Sequence, residues 1–391
     1  MSTLNDVVIT KLSGGLGRRN PEQDMVSGLL FDEPTGILPE LKLELESDTV
    51  KRLASLEDAE ALGITEQYDV SGQSVYYQIQ QFFRMNPSGD LYIMKTAATS
   101  YEDIVAKAMD MQEKANGNIR QMAIIYSGAT TFAQTQAAVL AAQTQADLAY
   151  ADYMPFEVIL EGKGFTVDAA SLAGSDSENV SVVVAMDLEK ASKYKNSAAV
   201  GLALGAISKA KVSENIAWIE KFNLTGEGFA KAGFVGGKEI KDLGTLRELN
   251  EKRFIFTKTH TGLPGLYFND SHTCTLGTLD FAYVENNRTI NKATRLLRTA
   301  LLPKLASPVL VDIDGKLPQS VSKSFEGLCR SALEGMVGNQ EVSDFDVYVD
   351  PKQNILATSE LKVKAEITPI GTARKIMVDL GFKNPFGIDK A

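Results

Sequence analysis

Residues 121–160, QMAIIYSGATTFAQTQAAVLAAQTQADLAYADYMPFEVIL, run from a short apolar segment through a long Ala/Gln-rich one to a second short apolar segment. In residues 121–126 and 156–160 the apolar side chains are near-continuous rather than alternating, which predicts strands covered on both faces. Residues 131–149 between them read as a helix by propensity. Strand, covering helix and strand in this order point to a mostly parallel sheet with helices on both sides.

The alternation extends outward in both directions. Residues 74–85 read as a helix, and the turn cluster Pro87, Ser88, Gly89 and Asp90 precedes a strand at 91–95. A helix follows at 102–116. On the other side come a strand at 180–185 and an Ala/Gly-rich helix at 197–209. From about residue 67 to 256 the chain therefore predicts an α/β domain.

Beyond Thr261 the pattern changes. Residues 287–302 carry an apolar stripe of Ile290, Ala293, Leu297 and Leu301, with Arg288, Lys292, Arg295 and Arg298 on the other side, and Pro303 ends the helix. Pro318 reads as the first residue of a second helix with the stripe Val321, Phe325, Leu328, Ala332 and Met336, closed by Gly338. Residues 345–349 and 361–367 alternate apolar with polar, and 376–382 do so more weakly, as antiparallel strands with one wet face would.

At 391 residues the chain is long enough for two or three domains. No apolar run reaches the ~18 residues of a membrane span, and no secretory leader is visible, so a cytoplasmic origin is expected. Cys274 and Cys329 are the only cysteines, which excludes a disulfide framework. A net charge of −10 argues against a general nucleic-acid binder. Only two histidines occur, His260 and His272, and they starve acid–base and metal chemistry of its commonest side chain.

Motifs for chemistry are correspondingly thin. SGGLGRRNP, residues 13–21, has glycines without the spacing or the following helix of a phosphate loop, and it reads as a flexible turn. Asp270, His272 and Cys274 offer a D-x-H-x-C segment short of a zinc ligand set. No G-x-S-x-G elbow exists. These residues assign no catalytic group, no cofactor and no metal. They leave a soluble α/β protein.

Two segments go further. The first runs from Val50 through Ser55, Asp58 and Gly63 to Tyr76, Tyr77, Phe82 and Phe83, then the glycine turn and the strand Leu91–Lys95. The second is the end of the chain: a helix bearing Arg288, Arg295 and Arg298, the amphipathic helix over 320–338, FDVYVDPKQN at 345–354, and a final strand pair within 361–382. In order and spacing these resemble the contractile tail sheath proteins of bacteriophages and phage-derived injection systems.

The resemblance implies an α/β fold: a subtilisin-like central sheet domain at 66–260 and an α+β C-terminal domain at 261–371. It adds an N-terminal arm at 1–25, a segment at 26–65 packed on the C-terminal domain, and a C-terminal strand arm at 372–391. It implies a structural role without cofactor: copies stacked as hexameric rings around an inner tail tube, in contact with baseplate and terminator proteins, in a virion tail assembled in a bacterial cytoplasm. Neither nucleic acid nor membrane insertion belongs to it. Lys316, Lys323 and Arg330, on and before the second C-terminal helix, would face the tube. Val7, Ile9 and Leu12 at one end and Ile376, Val378 and Leu380 at the other would add strands to neighbouring subunits. Gly14, Gly15 and Gly17 would be the hinge of the N-terminal arm. An enzyme of the same fold class and a terminator or baseplate protein are the alternatives.

Overall fold

The computed structural model describes residues 24–33, 44–70 and 72–382. In chain order the elements are β1 (Ser27–Asp32), β2 (Val50–Leu53), α1 (Leu56–Ala61), α2 (Val75–Met85), β3 (Leu91–Thr96), α3 (Tyr101–Val105), α4 (Ala108–Lys114), β4 (Gln121–Ile125), α5 (Phe132–Ala151), β5 (Glu157–Glu161) and β6 (Val180–Val183). Then come β7 (Ala185–Asp187), α6 (Ala191–Tyr194), α7 (Val200–Lys209), β8 (Ala232–Phe234), α8 (Leu243–Glu251), β9 (Thr257–His260) and β10 (Leu263–Phe268). The C-terminal unit holds α9 (Val284–Leu301), α10 (Gln319–Gly338), β11 (Val342–Tyr348), α11 (Ile355–Thr358) and β12 (Lys364–Pro369).

Six strands form the main sheet in the order β2-β3-β1-β4-β5-β6, parallel except where β2 runs against β3 at one edge. Every residue of β4, β5 and β6 is buried, as their continuous apolar runs require. Helix α5 starts where the sequence supplies a capping box: Thr131 accepts from the Gln134 backbone, and Gln134 accepts from the Thr131 N–H at 2.9 Å. Helices α2 and α7 cross in close contact because α7 presents Gly201 and Gly205, one turn apart. A Cβ on Gly201 would lie 2.1 Å from the carbonyl oxygen of Gln78.

The C-terminal unit has a core of its own, Ala293, Cys329, Leu333, Met336, Val342 and Val347, under the two-stranded sheet of β11 and β12. Helix α9 joins the two cores: Val284 at its start belongs to the first and Ala293 to the second.

Several expectations need correction. The segment 26–65 does not simply pack on the C-terminal unit. Its strand β1 is the innermost piece of the main sheet, paired with β3 on one side and β4 on the other, because LLF at 29–31 is wholly buried there. Residues 376–382 are not a strand. Among the described residues no strand pairs with them, and Ile376, Met377, Val378, Leu380 and Phe382 stand open to solvent. The C-terminal sheet therefore has two strands instead of three. The helix expected over 102–116 is split into α3 and α4 at residues 106–107. Pro318 precedes α10 in an extended conformation rather than opening it. The buried face of α10 is Ser322, Glu326, Cys329, Leu333 and Met336, so the expected stripe Val321, Phe325, Leu328 and Ala332 sits half-exposed at its margin. The expected strand with Val7, Ile9 and Leu12, and the hinge at Gly14, Gly15 and Gly17, lie outside the described residues.

Candidate functional site

In an open parallel sheet the place for chemistry is the crevice at the carboxyl ends of the strands, where the strand order reverses. Here that place is next to β1. Asp32 at its end accepts from the Ser127 backbone N–H at 2.8 Å, from the Ser127 hydroxyl, and from Gln73 Nε2 at 3.0 Å. Glu161, at the end of β5, accepts from the Ala198 N–H at 3.0 Å and pairs with Lys163 at 3.6 Å. Burial pushes both carboxyls above their ordinary range, and both spend their oxygens on fixed donors of the fold. Asp32 and Ser127 have no histidine beside them: His272 is bonded to Asn250 and His260 lies against Tyr267.

The D-x-H-x-C segment disperses in the same way. Asp270 is bonded to Asn215 at 2.6 Å and to Arg374, while His272 Nε2 meets Asn250 at 3.0 Å. Burial lowers the His272 imidazole to about 3 and raises the Cys274 thiol to about 12. Among the described residues no three His, Cys, Asp or Glu side chains are grouped to hold a metal ion.

Exposed surface of unusual character lies instead on the C-terminal unit. Leu305, Leu310 and Ile313, in the connection between α9 and α10, are nearly fully open to water. Together with Val321, Phe325 and Leu328 of α10 that connection borders a depression of about 480 Å³. Of the three cations expected to face the tube, Lys323 pairs with Glu326 at 2.6 Å, Arg330 bonds Asp346 and the carbonyl of Val347, and Lys316 reaches Asp314 only at 4.0 Å. All three heads remain solvent-accessible. Beyond Pro369 the chain runs without regular secondary structure as far as Phe382, and the apolar side chains from Ile376 on are exposed.

The N-terminal domain of the DUF2586 family matches residues 4–272, and its C-terminal domain matches residues 280–387. The chain belongs to the DUF2586 family. Its two family domains meet just ahead of α9. Three solved structures are similar along their whole length. The first is the helical sheath of the anti-feeding prophage in its contracted state, with a TM-score of 0.66, 14% identity, and coverage of 98% of this chain and 100% of that one. A chain in the six-fold symmetrised baseplate of the same prophage gives 0.63 at 14% identity, again over 98% and 100%. The sheath complex of the extracellular contractile injection system PVC, also contracted, gives 0.60 at 11% identity over 98% of each chain. The mixed α/β fold of this family member is thus the fold found in contractile sheaths. No curated protein sequence matches the chain. Among the described residues no helix is long and apolar enough to cross a membrane.

The sequence expectations named no residue of the connection between α9 and α10, the most exposed apolar stretch ahead of α10. Leu305, Leu310 and Ile313 fall in a connection without periodicity, so no helical or strand pattern singled them out. Their only signal was apolar side chains in a segment too irregular to bury them.

Proposed function

We propose that this DUF2586 protein is the sheath subunit of a contractile, phage-like injection device. The observation that carries the reading is end-to-end agreement of fold with the contracted prophage sheath chain, over 98% of one chain and 100% of the other. A shared catalytic scaffold would explain only the sheet; coverage of 98% of the chain takes in the C-terminal unit as well. The role is structural, and the central sheet is a scaffold of the subtilisin-like kind without a catalytic triad.

In this reading copies stack as hexameric rings around an inner tube between baseplate and terminator, as part of a tail assembled in the bacterial cytoplasm. The extended sheath is a metastable state, and contraction releases it to one with more buried surface. The open apolar side chains of the C-terminal unit and of residues 376–382 support a subunit whose neighbours complete its burial. Val7, Ile9 and Leu12 would pair with a neighbour's sheet edge, with Gly14, Gly15 and Gly17 as joints. Lys316, Lys323 and Arg330 would meet the tube. The likeness to a baseplate chain favours a second reading, a ring-forming protein of the same machine. Electron microscopy of the purified full chain separates them: long hollow cylinders support the sheath, closed rings the second reading, and monodisperse particles at all concentrations overturn both.

A further inference from the structure

Helix α9 grips the chain at two distant places with opposite charges. At its start Glu285, nearly fully buried, lies beside Asp270, and Asn215 donates to both, at 2.6 Å to Asp270 and 3.0 Å to Glu285. Into this pair of carboxylates comes Arg374, from the segment after β12. Its Nε donates to Asp270 at 2.9 Å, its Nη2 donates to Glu285, and its guanidinium lies 3.4 Å from the centre of the Tyr283 ring. A planar fork that meets two carboxylates and stacks on an aromatic face is a use that lysine does not reproduce. Among the described residues, Arg374 makes the side-chain bonds that tie residues 370–382 to the rest of the protein; beyond it the apolar side chains are open to water.

Two turns further on, α9 is basic and holds the other end. Lys292 pairs with Asp24 at 2.6 Å and with Glu341 at 2.7 Å, and Arg295 reaches Asp24 at 3.3 Å. The Arg288 guanidinium donates to the Asp24 carbonyl at 3.1 Å, and Gln121 donates to the same oxygen at 3.1 Å. Glu285 and Lys292 are seven residues apart, so they share one face of the helix at a separation of about 10 Å along its axis.

We propose that α9 is a two-ended clamp that fixes where both terminal segments leave the body, Asp24 in its basic grip and Arg374 in its acidic one. The inference rests on the sheath reading for its purpose, since strands lent to neighbours must start from defined points. One helix then sets the spacing between the two exits, and the segments beyond them remain available to other subunits. Asp24, Arg374, Glu285 and Lys292 are positioning residues: they direct the arms and leave the pairing itself to the arms' own backbone.

Trp218, the single tryptophan, supplies the test, because it lines a cleft of about 650 Å³ whose wall includes Thr372, Arg374 and Ile376. Acrylamide quenching of the free full-length subunit reports whether that wall is in place. Arg374→Gln is expected to raise the quenching constant to that of a chain ending at Ile370, with Arg374→Lys between it and the wild type. Asp24→Asn is expected to leave quenching unchanged. Both Arg374→Gln and Asp24→Asn should raise the concentration threshold for cylinder formation by about tenfold or more, as the loss of a charged hydrogen-bonded anchor would. Wild-type quenching in a folded Arg374→Gln subunit overturns the clamp, and so do unchanged assembly thresholds in both variants. If the wild type itself forms no cylinders, the sheath reading fails while quenching still decides the acidic grip.

Discussion

In the sheet body β4, β5 and β6 are buried at every residue, whereas in the C-terminal unit the six residues of β12 hold no buried position and α10 is buried at only five. The body closes helices on a six-stranded sheet whose central strands are covered on both faces, and its exposed apolar side chains, such as Leu140, Leu148 and Leu243, lie on the helices outside it. The C-terminal unit packs two long helices on a two-stranded sheet, too small an arrangement to enclose its own apolar residues. One part buries β4, β5 and β6 throughout, and the other keeps much of its apolar surface open to water. That division makes opposite predictions for the same kind of change.

Glycine substitution sharpens the contrast most. A Cβ at Gly201 would meet the backbone of α2 at 2.1 Å, and neither helix can retreat from a fully packed sheet. Gly201→Val is expected to cost about 4 kcal/mol or more and to leave little soluble folded protein, measured by thermal unfolding. In the C-terminal unit Gly335 of α10 has nothing within 4 Å of an added Cβ. Gly335→Ala should be neutral or stabilising by up to about 1 kcal/mol, from helix propensity alone. Comparable losses at both positions would mean that the two parts are equally packed.

The body also holds two buried titratable groups with opposite pH signatures. Glu157, bonded to Asn179 and Asn291, is raised to about 8 by burial, and His272 is lowered to about 3 by the same cause. Between pH 3 and 6.5 the unfolded chain binds a proton at His272 that the folded one refuses, so stability rises with pH. Between 4.5 and 8 the folded chain keeps a proton on Glu157 that the unfolded one has lost, so stability falls with pH. Each slope is at most about 1.4 kcal/mol per pH unit, and from 4.5 to 6.5 they cancel. Denaturant titrations across this range should show Glu157→Gln losing the decline above pH 6.5. His272→Gln should lose the rise below 4.5, and together with His260→Gln it should leave assembly intact. A decline that survives in Glu157→Gln would assign the alkaline branch to another group.

The strands β3 to β6 were legible because both faces are covered and their apolar runs are continuous, and α5 because Thr131 and Gln134 announce its cap. Strand β1 was not, although every one of its residues is buried: its apolar run is only Leu29, Leu30 and Phe31 after Ser27 and Gly28, and its partners lie 64 and 94 positions away in register. The alternation in residues 376–382 was legible as a strand, but alternation specifies a face and not a partner, and among the described residues no strand pairs with it. The cations of α9 were visible as one side of a helix. That Arg288 and Lys292 point inward could not be read, because Asp24, 268 residues from Lys292 in sequence, is what makes their burial tolerable.

Truncation probes the boundary between the two parts. Ending the chain at Ile370 removes no core residue but takes Arg374 away from the buried carboxylates of Asp270 and Glu285, so the subunit should still fold with a loss of about 3 kcal/mol in thermal unfolding. Deleting residues 1–17 should likewise leave a folded subunit. Each truncated chain is expected to stay below the threshold for cylinders at concentrations where the full chain assembles. A chain lacking residues 1–17 that still builds long cylinders removes the N-terminal arm from the assembly.

The smallest effect on the fold, and the finest test of the C-terminal surface, concerns Lys323 and Arg330. They lie seven residues apart on α10 with side chains 63% and 46% exposed, each held by one carboxylate of its own unit, Glu326 and Asp346. Pairs so exposed contribute about 0–1 kcal/mol each, because water screens them and the long side chains lose freedom. Replacing both with glutamate costs the subunit little at the exposed Arg330–Asp346 pair and about 1–2 kcal/mol beside the buried Glu326, which keeps the Val349 N–H, so thermal unfolding should fall only modestly. A tube surface would see a different change: two positive heads become negative, a net change of four charge units on one helix face. If that face meets the tube, Lys323→Glu with Arg330→Glu should keep self-assembly and lose co-sedimentation with tube protein. High salt should weaken the wild-type contact in the same direction, since exposed charges interact only within a Debye length of about 8 Å at physiological ionic strength. Unimpaired co-sedimentation in the double variant would remove the cations from the contact. Leu305, Leu310 and Ile313 would then be left as the apolar residues through which the unit meets its neighbours, because they are as open to a partner as they are to water.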